Sequence, residues 1–168
     1  LLVAVIPALI FGLLFDDIID EKLGSPTFIA WMFLAGGVIL LFIDKQFKNP
    51  VIDEEKKINY VRAFIIGLFQ VLAVALPGIS RSAATIIGGM TQKLTRRLAA
   101  EFSFFLAVPT MAAATGYSLF LKNWNKTGVE QKGYELILSS SQNTTAFIIG
   151  NIVAFIVAMI AIRFFIGF

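Results

Sequence analysis

Long apolar runs alternate with short polar connections along this chain, and the longer runs have the length of membrane helices rather than of strands. We predict one all-α integral membrane domain over residues 1–168, a helical bundle with spans of about 20 residues each. The predicted spans are about 1–15, 27–43, 101–121 and 146–166, with two shorter apolar pieces at 63–76 and 82–91. Both chain ends lie in apolar sequence, so we expect a fragment of a longer membrane protein.

The two shorter pieces are too short to cross a membrane. At 1.5 Å per residue, Ala63–Leu76 reaches about 21 Å and Ala83–Met90 about 12 Å, against a hydrocarbon core of about 30 Å. The connections at 44–62 and 92–100 are both rich in Lys and Arg, which puts both on the cytoplasmic side. A pair of half-helices that enters and leaves the membrane on one side leaves both connections in the cytoplasm, whereas a single span would put the second connection outside. We therefore predict a re-entrant hairpin, as found where broken helices line a protein cavity.

Polar segments elsewhere are predicted to be connections. The acidic stretch Asp16–Glu21 and the region 122–145 are predicted as loops outside the cytoplasm. Glu101 is predicted to open the next span, where its charge would favour the helix dipole. Gly36 and Gly37 predict close packing of a neighbouring helix.

Composition excludes several kinds of chemistry. Hydrophobic residues make up 58% of the chain, above the 45–50% or so of soluble domains. The chain has no Cys and no His, so it can form no disulfide or thiolate site and lacks the commonest general base. The net charge is only +3, and the basic residues lie in connections between apolar runs. They are best interpreted as topology determinants, and we expect no nucleic-acid partner.

The motif between the two short pieces predicts a phosphate site. Pro77 and Gly78 favour a turn that allows close backbone approach to a ligand. Ser80 or Ser82 can cap the helix that follows, whose N-terminus favours anions. Arg81 adds a permanent charge suited to phosphate. The hydroxyls of Ser80, Ser82 and Thr85 can donate to phosphate oxygens.

These residues also have a purely structural interpretation. Ser and Thr in membrane helices usually bond to backbone or to neighbouring helices, so the three hydroxyls are open to either interpretation. An arginine within the membrane is costly to bury and marks a functional site. Arg81 is therefore the residue on which the phosphate interpretation depends.

The stretch Pro77–Thr85, Pro-Gly-Ile-Ser-Arg-Ser-Ala-Ala-Thr, resembles the second signature of the undecaprenyl-diphosphate phosphatase, or bacitracin-resistance, family. The runs at 101–104 and 107–109 are similar to the sequence that follows it. The resemblance implies an inverted-repeat enzyme of the bacterial cytoplasmic membrane that hydrolyses a polyprenyl diphosphate lipid. It also implies a divalent cation (Mg²⁺ or Ca²⁺) and a first, glutamate-rich signature upstream of this chain. Gln70 resembles one of those glutamates by internal symmetry and is a candidate substrate-binding residue with Pro77 and Gly78.

Under this resemblance, Arg81 and the hydroxyls would hold the diphosphate while upstream acids supply metal binding or base chemistry. Ser80 and Ser82 are equal candidates for a nucleophile. Two alternatives are a transporter or flippase, which moves the lipid diphosphate without hydrolysis, and a non-catalytic membrane scaffold. Whether copies of the chain associate, and whether this chain alone is active, stay open.

Overall fold

The computed structural model describes residues 1–47, 50–125 and 130–167. They form two compact units, Leu1–Ala113 and Ala114–Phe168. The first unit contains α1 (Leu2–Leu14), α2 (Asp16–Leu23), α3 (Pro26–Gln46), a 3₁₀ turn (Glu55–Lys57), α4 (Tyr60–Ala75), α5 (Arg81–Thr91) and most of α6 (Arg96–Phe120). The second contains the end of α6, a hairpin of β1 (Asn123–Asn125) and β2 (Glu130–Lys132), α7 (Gly133–Leu138) and α8 (Ser141–Gly167).

The structure confirms an all-α membrane protein in its main features. Three stretches among the described residues are long and apolar enough to cross a membrane: Pro26–Ile43, Arg96–Phe120 and Ser141–Phe164. Most of the large apolar side chains of α3 and α8 are exposed within the chain, so they require lipid or other apolar surroundings. The helices α1 and α4 are apolar but shorter.

The core of the first unit depends on small residues where α1 meets α4. Ala4 and Ala8 of α1 are buried, as are Ala63 and Gly67 of α4. In each helix the two small residues lie four positions apart, on one face, which lets the two backbones approach closely. A Cβ built on Gly67 would collide with the backbone of Ala4.

Backbone hydrogen bonds join the loop before α4 to the loop after α5. The N–H groups of Val51 and Ile52 donate to the carbonyl of Lys93 at 2.9 and 3.0 Å. The N–H of Thr95 donates to the carbonyl of Ile52 at 2.8 Å, completing a parallel bridge between Ile52 and Leu94. The two short helices therefore start and end at one pair of loops.

Two predicted boundaries in the first unit are wrong. The acidic stretch after α1 is helical rather than a loop, since it forms α2 directly after Phe15. The next long helix begins at Arg96, five residues before Glu101, because the Thr95 hydroxyl accepts from Leu98 N at 3.3 Å. Glu101 instead pairs with Arg97 one turn back, at 3.0 Å from carboxylate oxygen to guanidinium nitrogen.

The region 122–145, predicted as a loop, contains regular structure in its described part. Strands β1 and β2 pair antiparallel, and Trp124 donates its indole N–H to the Ser118 carbonyl at 3.1 Å. Glu135 accepts from Lys132 N at 2.9 Å, which caps α7. The charge of the same carboxylate raises the pKa of the Tyr134 phenol.

Gly67→Ala tests the close packing of α1 on α4. The added methyl must displace the Ala4 backbone, so we expect the free energy of unfolding in mixed micelles to fall by about 1–3 kcal/mol. Gly12→Ala on α1 is the matched control, since a Cβ there meets nothing within 4 Å. The control should change stability by less than about 1 kcal/mol, and in the stabilising direction. Equal stability of the two variants would contradict this packing.

Candidate phosphate site at the α4–α5 break

The break between α4 and α5 is a tight turn whose sequence is fixed by its geometry. The N–H of Ile79 donates to the carbonyl of Leu76 at 3.1 Å, and Gly78 has a φ of +110°. Pro followed by a residue of positive φ is the sequence of a type II turn. A Cβ on Gly78 would also collide with the Ile29 carbonyl and the Met32 side chain of α3. Pro77 and Gly78 thus shape the turn and allow it to lie against α3.

Ser80 is the residue that caps α5, which resolves the choice between Ser80 and Ser82. Its Oγ accepts from Ala83 N at 3.4 Å, and its carbonyl accepts from Ala84 N at 3.0 Å. The N–H groups of Arg81 and Ser82 precede that first intrahelical bond, so they have no acceptor within the helix. The Oγ atoms of Ser80 and Ser82 lie 3.2 Å apart, and both side chains are exposed. Two hydroxyls and two backbone N–H groups therefore cluster at this helix end.

Arg81 is the first residue of α5 and is half-buried. Its guanidinium makes no hydrogen bond or ion pair with the part of the chain that the structure describes. Arginines in apolar surroundings normally pair with acids or carbonyls, and Arg81 has no such partner among the described residues. The guanidinium donors of Arg81 are therefore available to an anion at the helix N-terminus, where the dipole also favours negative charge.

Thr85 lies in a different environment from the two serines. It is 2% exposed, and its hydroxyl lies 3.0 Å from the Arg81 carbonyl and 3.1 Å from the Ser82 carbonyl. It also lies 2.5 Å from the hydroxyl of Ser103 on α6, which is 6% exposed. Since Ser103 is 3.5 Å from the Ser82 carbonyl, the shorter distances favour Thr85 donating to the backbone and Ser103 donating to Thr85. The pair ties the first turn of α5 to α6.

Ser103 is a site residue that the sequence analysis missed. It lies within the family-like run at 101–104, but nothing in that run shows that a residue eighteen positions after Thr85 would meet it. Gln70 is buried and pairs instead with α6: its amide nitrogen donates to the Thr110 hydroxyl at 3.3 Å. The structure brings Arg81, Ser80 and Ser82 together, while Gln70 and Thr85 bond elsewhere; the binding roles of all five stay predictions.

Gly36 and Gly37 do not serve the close packing predicted for them. In the described structure, a Cβ at either position meets nothing within 4 Å. Both glycines instead line a cavity of about 430 Å³ between α3 and the α4–α5 pair. Ser80 lines the same cavity, so the apolar space reaches the cluster at the start of α5.

The described residues do not fit a metal site of their own. Among the side chains that the structure describes, no three acidic, His or Cys residues lie where they could hold a metal ion. The groups around Arg81 are hydroxyls and backbone N–H donors, which suit an anion better than a cation. The divalent cation stays a prediction, and no chemical step is assigned to it.

Comparison with known proteins relates this chain to one family. The family model described as bacitracin resistance protein BacA matches residues 1–168. An undecaprenyl-diphosphatase of Porphyromonas gingivalis W83 is 49% identical over 171 residues, covering all of this chain and 56% of that protein. An undecaprenyl-diphosphatase of Flavobacterium psychrophilum is 52% identical, covering all of this chain and 59% of that protein. The chain thus spans less than two thirds of the length of these relatives, and it belongs to the bacitracin resistance protein BacA family.

Proposed function

We propose that this chain supplies the diphosphate-binding half of an undecaprenyl-diphosphatase. The reaction is hydrolysis: water adds to the terminal phosphorus of undecaprenyl diphosphate and the bridging P–O bond breaks. The products are inorganic phosphate and undecaprenyl phosphate. The relatives are named for this activity. The observation that carries the proposal is the guanidinium of Arg81 at a helix N-terminus, where no described residue pairs with it and the hydroxyls of Ser80 and Ser82 lie beside it.

The proposal includes a re-entrant position for α4 and α5. The bonds joining Ile52 to Lys93 and Thr95 support it, since one helix continued from Tyr60 to Thr91 would separate its ends by about 47 Å. Alone, α4 extends about 24 Å from its loop, less than the hydrocarbon core of about 30 Å. Arg81 would then lie within the bacterial cytoplasmic membrane. A second hairpin, from the part of the family length that this chain does not span, would complete an inverted repeat and a multi-pass protein.

In this site, each group has a separate task. The guanidinium of Arg81 binds the terminal phosphate and stabilises the charge that develops as the bridging bond breaks. The hydroxyls of Ser80 and Ser82 and the N–H groups at the helix start donate to phosphate oxygens. Either serine would need a base from outside the cluster to act as nucleophile, since the cluster itself offers hydroxyls and a guanidinium. The acids that supply a base and hold a divalent cation belong to the other half of the site.

Arg81→Ala tests the central role of the guanidinium. In lipid nanodiscs, we expect the Kd of the 168-residue chain for undecaprenyl diphosphate to rise at least tenfold, since the only charged donor of the cluster is lost. Arg81→Lys should be intermediate, because a lysine keeps the charge and loses the planar fork. Arg163→Ala, which removes an exposed arginine from α8, is the control and should bind as the parent does.

Phosphate release is tested after this chain replaces the matching 171 residues of the P. gingivalis relative. Release should fall about 100-fold or more with Arg81→Ala. A fall in phosphate release of less than tenfold would show that Arg81 has no central role in the reaction. Binding of the diphosphate by the hybrid without any release would favour lipid transport over hydrolysis.

Ser103→Ala tests whether the Thr85–Ser103 pair positions the first turn of α5. Loss of one buried hydrogen bond, about 0.5–1.5 kcal/mol, should weaken undecaprenyl diphosphate binding roughly threefold to tenfold. Binding of undecaprenyl monophosphate should weaken less, so the Kd for the diphosphate divided by the Kd for the monophosphate should rise. A merely structural role would lower the Tm and leave this ratio unchanged.

Two further variants complete the comparison. Ser103→Thr keeps the hydroxyl and should restore the ratio of the two Kd values. Thr115→Ala removes a hydroxyl from the exposed face of the same helix and should have no effect on either ligand. An equal change in Thr115→Ala would show that the effect does not come from the Thr85–Ser103 pair.

A further inference from the structure

The apolar cavity between α3 and the α4–α5 pair has one polar edge. Its volume of about 430 Å³ is within the range of about 300–1,000 Å³ typical of ligand pockets. Of the thirteen described residues that line it, twelve are Phe, Leu, Ile, Ala or Gly, and the exception is Ser80. Since Ser80 caps the helix that begins with Arg81, the cavity starts beside the phosphate cluster and continues into apolar surroundings.

The α3 wall of the cavity is open at two neighbouring glycines, which lie between the bulky lining residues Phe33 and Ile39. Gly36 and Gly37 present only backbone to the cavity, and a Cβ at either would enter open space. The facing walls carry bulky side chains, Phe69 and Leu72 on α4 and Ile87 on α5. The width of the cavity at this point therefore depends on the absence of side chains at Gly36 and Gly37.

We propose that this cavity holds the first isoprene units of the prenyl chain. Gly36 and Gly37 set the width of the cavity and so allow these units to enter. The inference rests on the proposed function and deepens it. A ligand that places its diphosphate at Arg81 and Ser80 has its linked chain at the edge of this cavity. The apolar lining suits a hydrocarbon and offers no partners to the polar remainder of a nucleoside or sugar diphosphate.

Selection in this cavity works by shape. Within a membrane the surrounding lipid is as apolar as the cavity, so transfer of a prenyl chain gains little from hydrophobicity. Binding instead depends on close packing against the walls, and close packing is lost when one wall is displaced. A side chain added on α3 should therefore exclude the prenyl chain without touching the groups that bind phosphate.

Gly36→Leu tests the inference with two probes, undecaprenyl diphosphate and inorganic diphosphate, bound to the 168-residue chain in nanodiscs. We expect the Kd for undecaprenyl diphosphate to rise at least tenfold and that for inorganic diphosphate to stay within twofold. Gly37→Leu, on the same wall, is the second variant if Gly36→Leu does not fold. Gly12→Leu is the matched control, since a Cβ there also meets nothing within 4 Å and Gly12 is not among the lining residues.

A direct measurement accompanies the binding data. An undecaprenyl diphosphate carrying a diazirine on its first isoprene unit should label the stretch 33–40 of α3, and Gly36→Leu should abolish that label. Unchanged binding of the long-chain probe, equal loss of both probes in a folded variant, or labelling confined to other helices would each overturn the inference. The proposed function has its own test: it would be wrong if Arg81→Ala left the binding of inorganic diphosphate unchanged.

Discussion

The hydrogen bonds between residues 51–52 and 93–95 are the interaction on which the site depends. They are backbone bonds of 2.8–3.0 Å, and they fix the start of α4 and the end of α5 at one place. With the base of the pair closed, the break at Pro77 and Gly78 must lie at its far end. Backbone polar groups at a break within an apolar environment are costly unless they are satisfied, and the turn and the Ser80 cap provide acceptors for the N–H groups of Ile79 and Ala83. The first two N–H groups of α5, on Arg81 and Ser82, keep no acceptor within the helix.

The helices themselves follow closely from the sequence. Apolar runs of membrane length predict α3, α6 and α8, and the Pro-Gly pair predicts the break before α5, because these signals are local. The start of α6 was predicted five residues too late, because the apolar run begins after the basic residues whereas the cap is Thr95. Hydropathy locates the apolar part of a helix, and only the cap shows where its backbone begins.

The site is less predictable, because its residues meet through tertiary contacts. The motif shows that Ser80, Arg81 and Ser82 share a helix start, which is a local property. Whether Thr85 points at a ligand or into the protein depends on Ser103, eighteen residues later on another helix. Gly36 and Gly37 illustrate the same limit: glycine in a membrane helix predicts either close packing or an open wall, and the position of the neighbouring helix decides.

The arrangement also explains why an arginine is tolerated without a partner. Charge in an apolar environment is unfavourable, and here Arg81 is half-buried and unpaired within the described chain. Under the proposed function, a bound diphosphate would supply a countercharge to this guanidinium, and part of its binding energy would come from that pairing. The Thr85–Ser103 pair matters in this context because it holds the helix start, while no described side chain pairs with the guanidinium. The helix start is thus fixed by contacts within the protein, and a ligand bound as proposed would add the countercharge that the described residues do not supply.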